Sequence, residues 1–306
     1  MTDSPQSERL LTKSVPSHLL EPLPPFADSW RMKALEGQAR MAFANVAIVG
    51  LARNCAGPLR QNLQRAHAIG SGCRSWRLHI ETNDDTDSTV AVLEDFCSRH
   101  PQASYRDQTL NRQQFSAEFS GPRTIALAEY RTACQQWVRD HAADACYVIV
   151  VDFDAWGGWS LDGVRNGFGW LTELPGAYGM ATVSLMEHPA AVTDESGVTR
   201  LAPSWMHYDA WALRGIGQAR NYWDDYTAGV GGWKFQWLPP VGSPPVLVSS
   251  AFGGMAIYRT EAYLAGTYDG ASDCEHVPYH ESIANATGQH LYLNPSMRTV
   301  MRWCDA

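Results

Sequence analysis

The fold is decided by one stretch of the sequence, Cys146-Tyr-Val-Ile-Val-Val-Asp-Phe-Asp154. Its apolar run, rich in Val and Ile, is typical of a strand that is buried on both faces, as in a parallel sheet. Because strand side chains alternate, Asp152 and Asp154 point to the same side at the carboxyl end of the strand. In open α/β sheets that edge is where ligands bind. The neighbouring carboxylates repel each other unless a cation lies between them, and their oxygens suit Mg²⁺ or Mn²⁺. The alternative is a solvated strand end before the Gly157-Gly158 turn.

Strands and helices alternate on the amino-terminal side of this stretch. Predicted strands cover residues 45–51, 76–81 and 103–109, and predicted helices cover residues 28–43, 58–69, 90–98 and 123–141. This alternation indicates βαβ units and an α/β fold with a mainly parallel, right-handed sheet and flanking helices.

The carboxyl-terminal side is less regular. Predicted helices cover 160–171 and about 278–286, predicted strands cover 178–186, 208–213, 246–258 and 291–293, and residues 214–245 form a long irregular segment. Long structured loops of this kind are often functional. We expect an amino-terminal arm and helix at 1–45, one half of a single compact unit at 46–158, and a more irregular half at 159–306.

Composition narrows the class of protein. The chain has 306 residues, of which 45% are hydrophobic and 18% charged, as in an ordinary globular protein. Its net charge of −8 argues against a nucleic-acid-binding protein. The seven cysteines are scattered, without a CxxC pair, which argues against a disulfide framework or a structural zinc site. With no apolar signal region in residues 1–17 and no membrane-spanning run, the sequence predicts a cytoplasmic protein, which is compatible with peripheral contact at the inner face of the membrane.

Several short motifs follow one another along the chain in an order that is more informative than any one of them alone. They are Val46–Asn54, Glu81–Thr89, Asp152-Phe-Asp154, Tyr208–Leu213, Phe252–Tyr258 and Asp273–His276. Together they resemble GT-A fold glycosyltransferases, in particular capsule- and lipopolysaccharide-type transferases, including fungal capsule-associated mannosyltransferases. The resemblance covers about residues 46–296, and it implies that the half at 46–158 binds the nucleotide-sugar and the half at 159–306 binds the acceptor. It implies a Rossmann-like GT-A fold and metal-dependent transfer of a hexose from a GDP- or UDP-hexose to a glycan or lipid-linked saccharide acceptor. The cation, Mn²⁺ or Mg²⁺, would neutralise the leaving diphosphate.

The resemblance also implies roles for residues near the first half of the sheet. Ala52, Arg53 and Glu81 would line the nucleotide pocket, in agreement with the ability of strand-end groups to bind bases and ribose. Asp152 would face the ribose or the metal, and Asp154 would be a metal ligand. For Arg53 the alternative is a surface residue or a helix-cap partner, and for Glu81 a loop-capping residue.

Two further groups are implied on the donor side. Arg131 would reach the diphosphate, although an arginine on a helix is also a common surface ion-pair partner. Gly253 and Gly254 would let the backbone approach the donor sugar, although glycine inside a strand also marks a bulge.

The segment Ser272–His280 is a second candidate centre. Because Pro278 is tolerated only in the first turn of a helix, Asp273–His276 should lie on the loop just before it. A carboxylate there, Glu275 or Asp273, can be a general base for the acceptor hydroxyl, and an imidazole, His276 or His280, can complete a metal shell. The alternative is that Asp273 caps the helix and both histidines are solvated.

Other enzyme classes lack their motifs. No GxxxxGK[ST] loop, GxGxxG turn after the first strand or GxSxG elbow is present. A phosphatase with a DxD nucleophile needs a lysine, and Lys13, Lys33 and Lys234 all lie outside the expected sheet-end context. A rival from another functional class is a catalytically inactive sugar- or nucleotide-binding module with the same fold.

Overall fold

A computed structural model describes residues 15–115, 121–193, 195–197, 199–217 and 232–302. The strands are β1 (Asn45–Leu51), β2 (Ser75–Asn83), β3 (Ala103–Gln108), β4 (Tyr147–Asp152), β5 (Gly158–Trp159), β6 (Ala177–Thr193), β7 (Thr199–His207), β8 (Arg214–Gly215), β9 (Val246–Ser250), β10 (Met255–Arg259) and β11 (His290–Arg302). The helices are α1 (Ala27–Met41), α2 (Ala56–Ser71), α3 (Thr89–Arg99), α4 (Gly121–His141), α5 (Leu161–Glu173), α6 (Trp233–Gln236), α7 (Thr260–Ala265) and α8 (His276–Thr287), preceded by single 3₁₀ turns at Ser17–Leu19 and Pro24–Phe26.

The described strands form one mixed sheet, in which nine strands follow the order β3-β2-β1-β4-β10-β6-β11-β9-β8, while β5 pairs with β11 and β7 pairs with β6. Strands β1 to β4 are mutually parallel, and β6 pairs with β11 in parallel. Strand β10 lies antiparallel between β4 and β6, so that β6 and β11 run in the same direction as β1 to β4. The predicted α/β architecture with a mainly parallel sheet and flanking helices is confirmed, and the sheet continues without a break across the two predicted halves.

The alternation of side chains along β1 and β4 explains why both strands are apolar throughout. Ile48 and Ile149 face one core with α2 and α5, where Leu59 and Phe168 are buried. The neighbouring residues on these strands face the opposite core, with α4 and α8. Because helices cover both faces, the central positions of these strands are shielded from water, as expected for a parallel sheet.

The carboxyl-terminal half departs from the sequence prediction. Residues 208–213, predicted as a strand, form turns between β7 and β8. The predicted strand 246–258 is two strands, because the chain reverses at Gly253 and Gly254, whose φ angles are 67° and 82°. Helix α8 begins at His276, two residues before Pro278, so that Pro278 still lies in its first turn. Part of the predicted irregular segment 214–245 lies outside the described residues.

Two sequence expectations concern the chain as a whole. Among the described residues, no helix combines the length and apolar character needed to cross a bilayer. The six described cysteines are all unpaired thiols.

Candidate active site

A cleft opens at the carboxyl end of β4. The backbone N–H of Asp152 donates to the carbonyl of Gly254 at 2.9 Å, and the N–H of Phe153 donates to the carbonyl of Leu51, which fixes the strand end. Phe153 is buried, whereas the side chains on either side of it reach the cleft. The cleft measures about 190 Å³ and brings together most of the donor-side residues singled out in the sequence: Ala52, Arg53, Glu81, Arg131, Asp152 and Asp154.

Arg131 holds two carboxylates at the floor of this cleft. Its Nη2 donates to Asp152 Oδ1 at 3.0 Å, and its Nε donates to Glu275 Oε1 at 2.8 Å. The guanidinium also lies over the Phe252 ring, 4.7 Å from the centroid. Burial alone lowers the pKa of Arg131, but the two carboxylates raise it well above its ordinary value. Arg131 therefore stays charged and links α4, β4 and the residue that precedes α8 into one network.

Asp154 has a different environment. It is exposed in the cleft, and no cationic side chain among the described residues pairs with it. Although its oxygens reach solvent, the surrounding protein atoms and the charge of Asp152 raise the pKa of Asp154 to about 6. Burial also raises the pKa of Asp152, against the lowering influence of Arg131. The strand end thus concentrates negative charge that a bound cation would relieve.

The protein alone offers few metal ligands here. Within the described ranges, no three His, Cys, Asp or Glu side chains form a group that could hold a metal ion. A cation would have as ligands Asp154 and the oxygen of Asp152 that makes no ion pair with a described side chain, and water or a bound ligand would fill its other positions. Mg²⁺ commonly binds in this way, through one or two carboxylates and substrate phosphates.

Arg53 organises one wall of the cleft. Its guanidinium donates to the backbone carbonyls of Arg112 at 2.6 Å and Gln113 at 3.0 Å. Asp84 receives the N–H groups of residues 110–112 on the same loop. These contacts hold the chain after β3 against the cleft, so Arg53 positions a loop in addition to lining the cleft.

Glu81 is buried at the end of β2, where its exposed fraction is 3%. His79 Nε2 lies 3.0 Å from one carboxylate oxygen, while Arg106 and Gln108 donate to the other. Burial alone raises the pKa of Glu81, but the hydrogen bonds from His79 and Arg106 lower it overall. Glu81 is thus a fixed, ionised acceptor beside the N–H of Ala52, which donates to its backbone carbonyl at 3.0 Å.

The two carboxylates predicted as a general base face different partners. Glu275 is buried and bound to Arg131. Asp273 accepts from Nη2 of the buried Arg214 with both oxygens, at 2.9 Å each. Asp273 lines a separate cavity of about 600 Å³ together with Arg214 and Ser250. Both acids are therefore ion-paired, and the structure does not bring Asp273 into the cleft of Asp154.

The predicted histidine ligands lie in the core. His276 stacks on Phe252 with 3.9 Å between centroids, and its Nε2 lies 3.5 Å from Glu275 Oε1. His280 has Ser250 Oγ 2.9 Å from Nδ1 and Tyr258 Oη 2.9 Å from Nε2. Burial lowers the pKa of His276 well below its ordinary range and that of His280 to about 3. Neither ring lines the cleft, so a metal-ligand role does not fit their surroundings, and neither is solvated.

Gly253 and Gly254 form the turn that follows β9. A side chain at Gly253 would meet the Thr182 carbonyl at 2.3 Å, and one at Gly254 would meet Met301 Sδ at 2.6 Å. Neither glycine is among the residues that line the cleft. Their absence of side chains is thus explained by close packing and positive φ angles, and Gly254 contributes to the site by accepting from Asp152.

Sequence reasoning missed two residues near this site. Asp209 accepts from the N–H of Gly253 at 2.8 Å and of Ala212 at 3.2 Å, and so orders the glycine turn. Burial is the main cause that raises the pKa of Asp209 to about 7, with a smaller contribution from Asp152. Arg123, on the first turn of α4, lines the cleft and lies over the Trp211 ring at 5.2 Å. Asp209 was missed because residues 208–213 were predicted as a strand. Arg123 was missed because nothing in the sequence distinguishes it from other charged residues of the long helix α4.

Comparisons with known proteins find only distant likenesses. No protein-family model matches the sequence. A search of the curated proteins likewise finds no match.

Solved structures resemble the fold at low identity. The mannosyltransferase PcManGT from Pyrobaculum calidifontis, in complex with GDP-Man and Mn²⁺, is 12% identical with a TM-score of 0.47, over 90% of this chain and 66% of that chain. GalNAc-T7 with UDP, GalNAc and Mn²⁺ is 10% identical with a TM-score of 0.48, over 94% and 55%. Mannosyl-3-phosphoglycerate synthase from Rubrobacter xylanophilus is 11% identical with a TM-score of 0.44, over 93% and 72%. This chain spans less than two thirds of the first two, and likenesses this distant carry no conclusion about its activity.

Proposed function

We propose that the protein is a metal-dependent glycosyltransferase of the GT-A type, which transfers a hexose from a nucleotide-diphosphate sugar to a saccharide acceptor. The observation that carries this proposal is the exposed Asp154 beside Asp152 at the end of β4. Both pKa values are raised, and Asp154 has no cationic partner among the described side chains. Such a pair favours a divalent cation, Mn²⁺ or Mg²⁺, brought in with a diphosphate.

The donor would lie along the cleft. Ala52 and Glu81 lie at the ends of adjacent parallel strands, where a backbone group and a fixed carboxylate can accept from or donate to a nucleoside. Arg123 and the Nη1 of Arg131, which has no hydrogen-bond partner among the described residues, supply positive charge in the cleft for the phosphates. A cation bound by the two aspartates supplies charge neutralisation at the diphosphate leaving group.

On the acceptor side, both candidate general bases are already paired with an arginine. A general-base role for Glu275 requires loss of its ion pair with Arg131, and for Asp273 loss of its bidentate pair with Arg214. Both acids are ion-paired with arginines. This observation supports a second candidate function, a sugar- or nucleotide-binding module with the same fold that does not turn over its donor.

Donor turnover with Asp154→Asn tests the enzyme proposal. Wild-type protein is assayed with GDP- and UDP-hexoses and Mn²⁺, with and without acceptor saccharides, and the release of nucleotide diphosphate is measured. The variant and a chelator should each reduce the rate by at least about 100-fold, since transition-state charge stabilisation is worth several kcal/mol.

A matched control is Asp162→Asn, which removes an exposed carboxylate paired with Arg165 on α5 and should leave the rate unchanged. Equal rates for Asp154→Asn and wild type would contradict the cation role. Tight Mn²⁺-dependent binding of a nucleotide diphosphate without any turnover would favour the inactive module.

The phosphatase alternative has little support in the structure. Lys33 pairs with Glu36 and Glu173 at the contact between α1 and α5, and Lys234 is buried on α6. No lysine appears among the described residues that line the cleft.

A further inference from the structure

A second polar cavity lies beside the start of α5, apart from the cleft of Asp154. It measures about 290 Å³ and lies between the amino-terminal arm, α2, β5 and β11. Val15, Leu20 and Val300 supply apolar contacts, and Arg65 and Arg298 supply the charge. Within the described part of the chain, its lining contains no carboxylate.

Arg298 is a buried cation without a counter-ion among the described residues. Its exposed fraction is 2%, and its Nη2 is bonded to the backbone carbonyl of Pro239. Its Nε and Nη1 have no hydrogen-bond partner in the described part of the chain. Burial lowers the pKa of Arg298 to about 9, so the group remains charged at neutral pH. An unpaired buried charge is costly, and buried guanidinium groups are normally paired or hydrogen-bonded.

Arg65 approaches the same cavity from α2. Its Nη1 donates to the Trp159 carbonyl at 2.8 Å, and its Nε is buried without a partner among the described groups. Gly158, with a φ of 66°, makes room for this side chain, because a Cβ there would lie 2.7 Å from Arg65 Cδ and Nε. The backbone is thus shaped to admit the second arginine.

The start of α5 adds to the positive potential. Ser160 lines the cavity and caps this helix of 13 residues, with its Oγ accepting from the N–H of Gly163. The amino terminus of a helix carries a partial positive charge that favours anions. Arg65, Arg298 and the amino terminus of α5 therefore all contribute positive charge to a cavity whose described lining contains no carboxylate.

We propose that this cavity binds a phosphate group, either as inorganic phosphate or as the phosphoryl end of a small phosphomonoester. Arg65 and Arg298 are its guanidinium ligands, and two guanidinium groups whose N–H donors lack partners in the described part of the chain match the several oxygens of a phosphate. Part of the cavity lining, Gly157–Ser160, follows Asp154 closely in the sequence. Asn62 fixes the chain just before this lining by donating to the carbonyls of Phe153 and Ala155, both at 2.8 Å. The site is distinct from the proposed donor cleft and does not depend on it.

Calorimetric titration of the full chain at low salt tests this site. The probes are inorganic phosphate, glycerol 3-phosphate and acetate. Phosphate or its ester should bind, and Arg65→Gln and Arg298→Gln should each weaken the affinity by at least about tenfold, the value of one charge-assisted hydrogen bond. Tighter binding of glycerol 3-phosphate than of phosphate identifies an organic phosphate as the occupant, and the reverse order identifies the free ion.

The controls separate this cavity from the rest of the surface. Arg99→Gln removes an exposed arginine on α3 and should not change the affinity. Arg65 is only half-buried, so Arg65→Gln keeps the test valid if Arg298→Gln does not fold. Equal affinities of wild type and Arg65→Gln, acetate binding as tightly as phosphate, or displacement of phosphate by a nucleotide diphosphate with Mn²⁺ would each overturn the proposal.

Discussion

Arg131 is the residue on which the acidic edge of the sheet depends. Its exposed fraction is 3%, and it pairs with both Asp152 and Glu275. Replacement by the apolar Met would leave two carboxylates without a cation. We expect Arg131→Met to lower the free energy of unfolding by about 3–5 kcal/mol, the usual cost of breaking a buried ion pair. Urea denaturation followed by circular dichroism measures this change.

Two variants make that measurement specific. Arg139→Met replaces an exposed arginine two turns further along α4, and it should cost less than about 1 kcal/mol. The double variant Arg131→Met/Glu275→Gln removes one of the orphaned charges and should recover part of the loss. A cost for Arg131→Met no larger than that for Arg139→Met would show that the network does not stabilise the fold.

His280 makes stability depend on pH. Burial lowers the pKa of His280 to about 3, below the value near 6.5 of an unfolded chain. The unfolded state therefore binds the extra proton first, and the stability that neutral His280 allows is lost as the pH falls below about 6.5. The loss is about 1.4 kcal/mol per pH unit. Asp209 acts in the opposite direction. Its pKa is raised to about 7 in the folded state, whereas the unfolded chain releases this proton near pH 4, so the contribution of Asp209 to stability falls as the pH rises from about 4 to 7.

Because these two groups oppose each other, the difference between variants is the sharper measurement. His280→Gln should lose stability more slowly than wild type between about pH 6.5 and 5, by about 1.4 kcal/mol per pH unit. Ser250→Ala removes the partner of Nδ1 but keeps the imidazole, so it should lower stability at every pH without changing the slope. Identical slopes for His280→Gln and wild type would contradict a buried neutral histidine.

At the scale of elements, α1 and α5 cross at glycines. A Cβ on Gly37 would lie 1.6 Å from the carbonyl oxygen of Arg165, and one on Gly169 would lie 2.2 Å from that of Lys33. Since both obstacles are helix backbone, neither can move aside cheaply. Gly37→Ala should lower the free energy of unfolding by at least about 2 kcal/mol despite the higher helix propensity of alanine.

Thermal denaturation checks this prediction against a glycine in open space. Gly121, at the start of α4, has no atom of the described chain within 4 Å of the position that an alanine methyl group would take, so Gly121→Ala should be close to neutral. If Gly37→Ala is equally neutral, the two helices do not pack at the distance seen here.

The elements of the first half were predictable because each carries its own periodic signal. The apolar runs at β1 and β4 predict these two strands from local sequence alone. Strand β6 and its hairpin partner β7 extend beyond the apolar core, with Val192 and Leu201 exposed, so hydrophobicity marks only the buried part of β6. The end of β7 at His207 had no local signal either, since the following turn depends on the hydrogen bonds of Asp209.

The candidate site also contains residues whose position the sequence predicts and residues whose partners it does not predict. Asp152 and Asp154 follow a strand whose edge is set by topology, so the sequence places them correctly in one cleft. The partners of Asp273, Glu275 and His280 are arginines, a serine and a tyrosine more than 20 residues away in sequence. Which carboxylate is free and which is ion-paired depends on those distant contacts, and a single sequence does not encode them locally.

At the scale of the whole molecule, the cation and the nucleotide should bind together. Asp154 and one oxygen of Asp152 are few ligands for a resident metal, because Arg131 already occupies the other oxygen of Asp152. Mn²⁺ alone should therefore change the melting temperature little. A nucleotide diphosphate at about 100 times its dissociation constant, in the presence of Mn²⁺, should add about 2.7 kcal/mol to the stability, which for a chain of 306 residues corresponds to roughly 4 °C.

Thermal shift measurements on the wild type and two variants test this coupling. In Asp154→Asn the shift with Mn²⁺ and nucleotide diphosphate together should fall to the value of the nucleotide alone, because the shared cation is lost. Arg65→Gln should keep the full shift, since Arg65 lines the other cavity. A shift with Mn²⁺ alone as large as the shift with both ligands would show a metal held by the protein itself, and the carboxylates of β4 would then act before any donor arrives.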